Sequence, residues 1–259
     1  MQETRLGVLA SGKGTGLQAI LDHIRLGVLV NVRVVCVIVN NDDAEVMRRA
    51  LNTDIATTFV EGIVGKKFAS ADEKERRRRE FDNIASKTFS DHGIDLIVCI
   101  GFNQVLSEVL VERYPNKIMN IHPAYDITRF GGVGMVGLKV HEAVIKAGEK
   151  VSGCTIHYID STVDRGHIIL RASVPVFGGD TPERLGDRVS VIEHRTYPKA
   201  IQLHVDRRII VKNRNVVLDL SGNWERIWDE RQEEYIVYQK EAWKDMGKDI
   251  DEMFRALRI

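Results

Sequence analysis

Two stretches of this chain, VRVVCVIVN (32–40) and IDLIVCIG (94–101), are almost unbroken apolar runs rich in β-branched residues. A strand wetted on one face alternates apolar and polar residues. A strand apolar at successive positions needs cover on both faces. RLGVLA (5–10), IATTFV and KIMNIH (117–122) have the same character. Between them lie segments with helical spacing: TGLQAILDHIRLG (15–27), DAEVMRRAL, a charged stretch over 69–92 with Phe81, Ile84, Ala85 and Phe89 along one side, and SEVLVERY, stopped by Pro115. Strand–helix alternation with buried strands implies an open, mainly parallel twisted sheet with helices on both faces, a Rossmann-like α/β fold.

The pattern changes after residue 150. SGCTIHYID (152–160) and GHIILRASVPV (166–176) read as antiparallel strands joined by STVDR. A helix follows from Thr181 to Asp206, and RRIIVKNRNVVLDL reads as a hairpin turning at Asn213–Arg214–Asn215. This divides the chain into a domain over 1–210 and an extension over 211–259. In the extension, Trp224, Trp228, Tyr235, Tyr238, Trp243, Met246, Ile250, Met253 and Leu257 recur at helical intervals. They predict one or two amphipathic helices covering the core or a partner subunit, as in a homodimer.

Charge bounds the function. Lys plus Arg and Asp plus Glu number 37 each, so the basic excess that nucleic acid or a membrane surface attracts is missing. The run KERRRRE (74–80) has acidic neighbours on both sides and reads as a solvated helix face. Cys36, Cys99 and Cys154 lie in apolar runs without CxxC spacing. They read as small buried hydrophobes in a reducing, cytoplasmic setting, with neither disulfide nor metal implied. The N-terminus enters its first strand without a signal-peptide core, and no 18-residue apolar run predicts a membrane span.

Two places carry chemistry. The first strand runs into ASGKGTGLQAI, where glycines 12, 14 and 16 allow positive φ and let backbone N–H groups approach an anion at a helix start. The GxGxG spacing is neither the dinucleotide fingerprint nor the P-loop, and alone it fits a ligand phosphate or a plain tight turn. The second place is NIHP. Asn120 and His122 lie two apart, hence on one face of a strand, at the carboxyl end where α/β sheets place ligands. An amide donor and an imidazole suit an oxyanion on a carbonyl carbon under attack. Asp160 and Asp164 lie in the turn between the two later strands, and a carboxylate near His122 would orient it and favour its charged form. Spacing alone is equally compatible with Asn120 and His122 capping a strand end and Asp164 as a turn residue.

SGKGTGLQAI, NIHPA, GCTIHYIDSTVDRGHIIL and PVFGGDTPERLGDRVSVIEHRTYP resemble, in order and spacing, the signature segments of the folate-dependent formyltransferases that act on glycinamide ribonucleotide (GAR), over roughly residues 5 to 210. The resemblance implies a catalytic set of Asn120, His122 and Asp164, with 10-formyltetrahydrofolate as formyl donor, no metal, and the GAR amine as acceptor. It implies that Gly14, Thr15 and Gly16 cradle the GAR phosphate, with Gly16 where that family carries Asn. It implies that Glu193 contacts GAR and that Phe102, Gln104, Val105, Leu106 and Asp160 line the folate pocket. Arg78 would stand near the substrate, and His157 beside the site or in the core. Two departures stand out. The family's Leu-Leu-Pro after the His-Pro is missing and the loop that follows is longer and glycine-rich, with RFGGVGMVG (129–137) readable as a mobile lid or as the mark of a changed second substrate, and Gln104 stands where Arg is usual. These departures keep open a folate-dependent hydrolase, another acceptor amine, or a non-catalytic phosphate sensor on the same scaffold. A tRNA substrate is disfavoured, because residues 223–259 hold seven Lys/Arg against ten Asp/Glu.

Overall fold

The computed structural model describes residues 3–42, 44–51, 53, 55–212, 215–221, 224–229 and 234–239, with the backbone alone for 51, 224–229 and 234–239. Seven strands form the main sheet: β1 (Thr4–Ala10), β2 (Val32–Val39), β3 (Ala56–Phe59), β4 (Leu96–Ile100), β5 (Ile118–His122), β6 (Val151–Tyr158) and β7 (Ile168–Pro175). Their order is β3-β2-β1-β4-β5-β6-β7. The first five run parallel; β6 is antiparallel to β5, and β7 to β6. Every strand expected from the sequence in residues 1–176 is present, with the expected directions. Among the described residues no helix is long and apolar enough to cross a membrane.

The apolar runs are buried on both faces because each face has its own helical layer. Leu6, Val8, Val98, Ile100 and Met119 pack towards α1 (Thr15–Arg25), α2 (Val46–Leu51) and α7 (Pro182–Val205). Leu9, Ile97, Cys99 and Ile118 pack on the other face towards α3 (Ala71–Asp91) and α4 (Glu108–Arg113). A third cluster joins α5 (Ile127–Phe130) and α6 (Leu138–Lys146) to β6, β7 and α7 through Phe130, Val140, Val144, Cys154, Val174 and Leu185. Tyr197, buried on α7, donates its hydroxyl hydrogen to the carbonyls of Met119 (2.6 Å) and Cys99 (3.1 Å), locking that helix onto β5 and β4.

α3 starts where the sequence supplies a cap. The Ser70 hydroxyl accepts from the N–H of Glu73, whose carboxylate accepts from the N–H of Ala69. Phe81, Ala85 and Phe89 face the sheet, but Ile84, expected beside them, is exposed. At about 100° per residue, position 84 falls off the edge of the 81–85–89 stripe. The four arginines of 76–79 pair with Glu80, Glu75 and Glu108, an ion-paired helix face.

β8 (Ile209–Lys212) and β9 (Asn215–Leu218) form the expected hairpin, packed under Leu203. The helices expected beyond it are not what the backbone shows over 224–239. β10 (Trp224–Asp229) and β11 (Glu234–Gln239) pair antiparallel. Trp, Tyr, Ile and Val favour strands, and the four-residue spacing of Trp224 and Trp228 satisfies a period of 2 as well as 3.6. The rest of the expected helical stripe, from Trp243 to Leu257, lies outside the described residues.

Asp82 on α3 is fully buried. Its carboxylate accepts from the backbone N–H and the hydroxyl (2.6 Å) of Ser107, the residue before α4. Burial, only partly offset by the Ser107 bonds, pushes it up from 3.8 to about 6. The folded protein therefore holds this proton more tightly than the unfolded chain. The resulting stabilisation is complete below the unfolded value and is lost as pH rises through about 6. Asp82→Asn keeps an acceptor for Ser107 and removes the titration. In denaturant unfolding, the wild type should lose on the order of 2 kcal/mol relative to this variant between about pH 4 and pH 7. Parallel stability curves would contradict the assignment.

Candidate active site

A cavity of about 550 Å³ opens at the carboxyl ends of β1, β4 and β5. That is where the strand order reverses around β1 and where ligands enter open α/β sheets. One wall is the glycine turn after β1. Gly14 has φ +71 and ψ +22, left-handed backbone that favours glycine, and it precedes α1 without a side-chain cap. Space forbids a side chain as well, because a Cβ there would lie 2.6–2.9 Å from Val46. α2 braces the turn: the Val46 N–H donates to the Gly12 carbonyl (3.2 Å), and Arg49 Nε donates to the Lys13 carbonyl (2.8 Å). The first intrahelical bond runs from Gln18 N–H to the Gly14 carbonyl, so the N–H groups of the preceding turn are left to cradle an anion. Gly16 packs against Ile100: a Cβ there would lie 2.8 Å from its Cγ2, so a larger residue would need local movement.

The opposite wall holds the polar centre. Asn120, His122, His157 and Asp164 converge in the cavity. Asn120 and His122 share one face of β5, and β6 sets His157 directly opposite Asn120 in the ladder. The Asn120 amide Nδ2 donates to His157 Nε2 (3.2 Å), and His157 Nδ1 donates to the Tyr158 carbonyl (3.0 Å). His122 Nε2 donates to the Phe130 carbonyl (2.8 Å). Asp164 sits in the β6–β7 turn with φ +54. Its Oδ2 accepts the Gly132 N–H (2.8 Å) and lies 3.7 Å from His122 Nδ1; its Oδ1 lies 3.6 Å from His157 Nε2. Both imidazole separations are ion-pair distances, beyond direct hydrogen bonding.

Burial dominates the electrostatics. His122 is 4% exposed, and desolvation holds its pKa below the usual histidine value despite the opposing pull of Asp164 and the Phe130 carbonyl. The Asp164 carboxylate favours the charged imidazole, but in the ligand-free site the loss of hydration outweighs it. His157 is lowered for the same first reason. Glu193 on α7 lines the cavity, and burial pushes its carboxyl up to about 7.

Most of the residues singled out in the sequence meet here. Gly14, Thr15 and Gly16 form one end. Phe102, Gln104, Val105 and Leu106, just after β4, and Asp160, after β6, line another side. Gln104 is turned inward, its Oε1 accepting the Ile63 N–H (2.9 Å) while its Nε2 is buried without a partner. It ties the 61–63 turn to the end of β4. Arg78 is not among the lining residues; it pairs with Glu75 one helical turn back on α3 (2.7 Å). An acidic neighbour on its own helix holds it there. Sequence reasoning missed Ser11 and Asn103, which bond across the β1 and β4 ends (2.9 Å), and His141, buried on α6 with its Nδ1 unpartnered. His141 carried one usable signal: it stands beside Val140 and one turn from Val144, at a position where α6 turns inward.

Comparison with known proteins bears on the family and the fold. Residues 4–201 match the formyl transferase family. The phosphoribosylglycinamide formyltransferase of Haemophilus influenzae is 30% identical over 215 residues, covering 83% of this chain and 93% of that protein. The trifunctional purine biosynthetic protein adenosine-3 of Gallus gallus is 34% identical over 201 residues, 78% of this chain but only 18% of that much longer protein. The crystal structure of glycinamide ribonucleotide transformylase 1 from Symbiobacterium toebii superposes with a TM-score of 0.72 at 35% identity, covering 83% of this chain and 93% of that one. With a glycine turn, an Asn–His strand end and an aspartate turn assembled around one cavity, and with three-quarters of its length matched, this chain belongs to the formyl transferase family.

Proposed function

We propose that this protein transfers the formyl group of 10-formyltetrahydrofolate to the amine of GAR, a step of purine biosynthesis. The observation that carries this reading is the convergence of Asn120, His122 and Asp164 in the same cavity as the Gly12–Gly16 turn. A phosphate on that turn and an amine near Asp164 span a single ligand, as a nucleotide bearing a glycinamide requires. Phe102, Val105 and Leu106 offer the apolar wall that a flat pteridine needs, and the folate supplies the one-carbon group.

The residues divide the work by chemistry. The Asn120 amide, oriented by His157, presents a hydrogen to the carbonyl oxygen as negative charge grows there. Asp164 and His122 Nδ1, 3.7 Å apart, are paired acceptors for the proton that the attacking amine must lose. Protonated His122 then carries positive charge beside the oxyanion, and the proton passes through water to the departing folate nitrogen. Glu193 lines the same cavity and is the residue we assign to contact with GAR. Holding both reactants in one orientation supplies much of the acceleration. The inward turn of Gln104 and the lengthened 125–137 segment favour one second reading, a different acceptor or water in place of GAR.

Purified protein given GAR and 10-formyltetrahydrofolate should release tetrahydrofolate only when GAR is present, followed by absorbance. His122→Ala should lower that rate by roughly 100- to 10,000-fold. GAR-independent release would identify a hydrolase instead. Asp164→Asn should cut turnover at least about tenfold while calorimetric GAR affinity stays within about twofold; equal losses of both would remove Asp164 from the chemistry. The same variant should shift the NMR titration of His122 to lower pH, because the charge opposing its desolvation is gone. An unmoved midpoint would show that the two groups do not interact.

A further inference from the structure

The segment between His122 and α6 is fastened mainly at its first half, while Met135 packs against the α5–α6 cluster further on. Thr155 Oγ1 donates to the carbonyls of Ala124 (2.8 Å) and Tyr125 (2.9 Å), Asp126 caps α5 through Thr128, and Arg129 pairs with Glu149 (2.6 Å). Beyond Gly132, the exposed Val133 and Val136 are among the residues that line the cavity. At the junction, two backbone groups that flank Gly131 touch the polar centre. The Phe130 carbonyl accepts from His122 Nε2, the Gly132 N–H donates to Asp164 Oδ2, and Gly131 lies between them. A Cβ on Gly131 would stand 2.4 Å from the Ile127 carbonyl oxygen and 3.1 Å from Asp164 Cβ. Its φ of −103 suits any residue, so the demand for glycine is one of space.

We propose that the Phe130–Gly132 backbone is the positioning element of this site, fixing neutral His122 as the Nε2–H tautomer and making Nδ1 the nitrogen that exchanges the working proton across from Asp164. A carbonyl can only accept, so the hydrogen of neutral His122 stays on Nε2 while this contact is made. The Nδ1 lone pair then faces Asp164, whose second oxygen faces His157. His157 contributes no competing hydrogen there, because its own is committed to the Tyr158 carbonyl. His122 in turn acts electrostatically on His141 of α6 and on His157, on which Asp160 also acts, so these are the titratable groups that face the imidazole beside Asp164. The inference goes beyond the proposed formyl transfer in one respect: the tautomer follows from the backbone contacts whatever substrate is used.

The test is a long-range ¹H–¹⁵N NMR spectrum of histidine-labelled full-length protein, with the His122 signals identified by their loss in His122→Gln. Wild type should show the Nε2–H pattern above its titration midpoint, with Nδ1 as the nitrogen that gains the proton below it. An Nδ1–H pattern would overturn the proposal, whatever reaction the enzyme performs. Gly131→Ala, if its melting temperature is retained, should mix the two tautomers and lower kcat about tenfold or more, with GAR affinity unchanged. A folded Gly131→Ala variant with wild-type tautomer and turnover would also overturn it. If this variant does not fold, the wild-type spectrum decides alone. Absence of GAR-dependent turnover in wild type would count against the proposed reaction and leave the tautomer result standing.

Discussion

Parallel pairing of β1 with β4, and of β4 with β5, brings three carboxyl ends to one edge of the sheet, and the site depends on that alignment. The glycine turn leaves β1, the Phe102–Leu106 wall leaves β4, and Asn120 and His122 end β5. The Tyr197 hydroxyl, bonded to carbonyls of both β4 and β5, adds α7 to the same frame and with it Glu193. A buried hydroxyl serving two carbonyls in a low-dielectric interior is costly to lose, since both carbonyls would be left short of a partner. The parallel strand ends and α7 therefore hold the glycine turn, the Phe102–Leu106 wall and the Asn120–His122 strand end in one frame, to which the β6–β7 turn adds Asp164.

The antiparallel strand β6 has a different task. By pairing with β5 it delivers His157 to Asn120, and by turning into β7 it delivers Asp164 to His122. Asp164 has left-handed backbone, a mildly strained conformation that Asp tolerates better than most residues. The three ionisable groups are then desolvated together. That shared burial explains why the ligand-free His122 is shifted towards neutrality even though a carboxylate stands near it.

Much of this was legible in the sequence because its signals are local. Unbroken apolar runs announce doubly covered strands, Gly-rich turns announce a tight anion-sized bend, and two-residue spacing puts Asn120 beside His122. What was not legible depends on distance through space. The capture of Arg78 by Glu75, the inward turn of Gln104 to Ile63, and the orphaned Nδ1 of His141 leave no periodic trace. Burial depth leaves no such trace either: the pull of Asp164 on His122 follows from motifs, whereas the desolvation that outweighs it does not. At 224–239 the same residues satisfy two periods, and strand propensity, given less weight than helical spacing, decided the outcome.

The central claim is geometric: one ligand spans the glycine turn and the Asn120–His122–Asp164 centre. It is tested most directly by a crystal structure with an unreactive adduct joining GAR to a folate through a single carbon. The account predicts the phosphate on the backbone N–H groups at Gly14–Gly16 and the linking carbon within about 3.5 Å of the Asn120 amide and the His122 ring. A phosphate seated elsewhere, or a linking carbon remote from those two side chains, would contradict it.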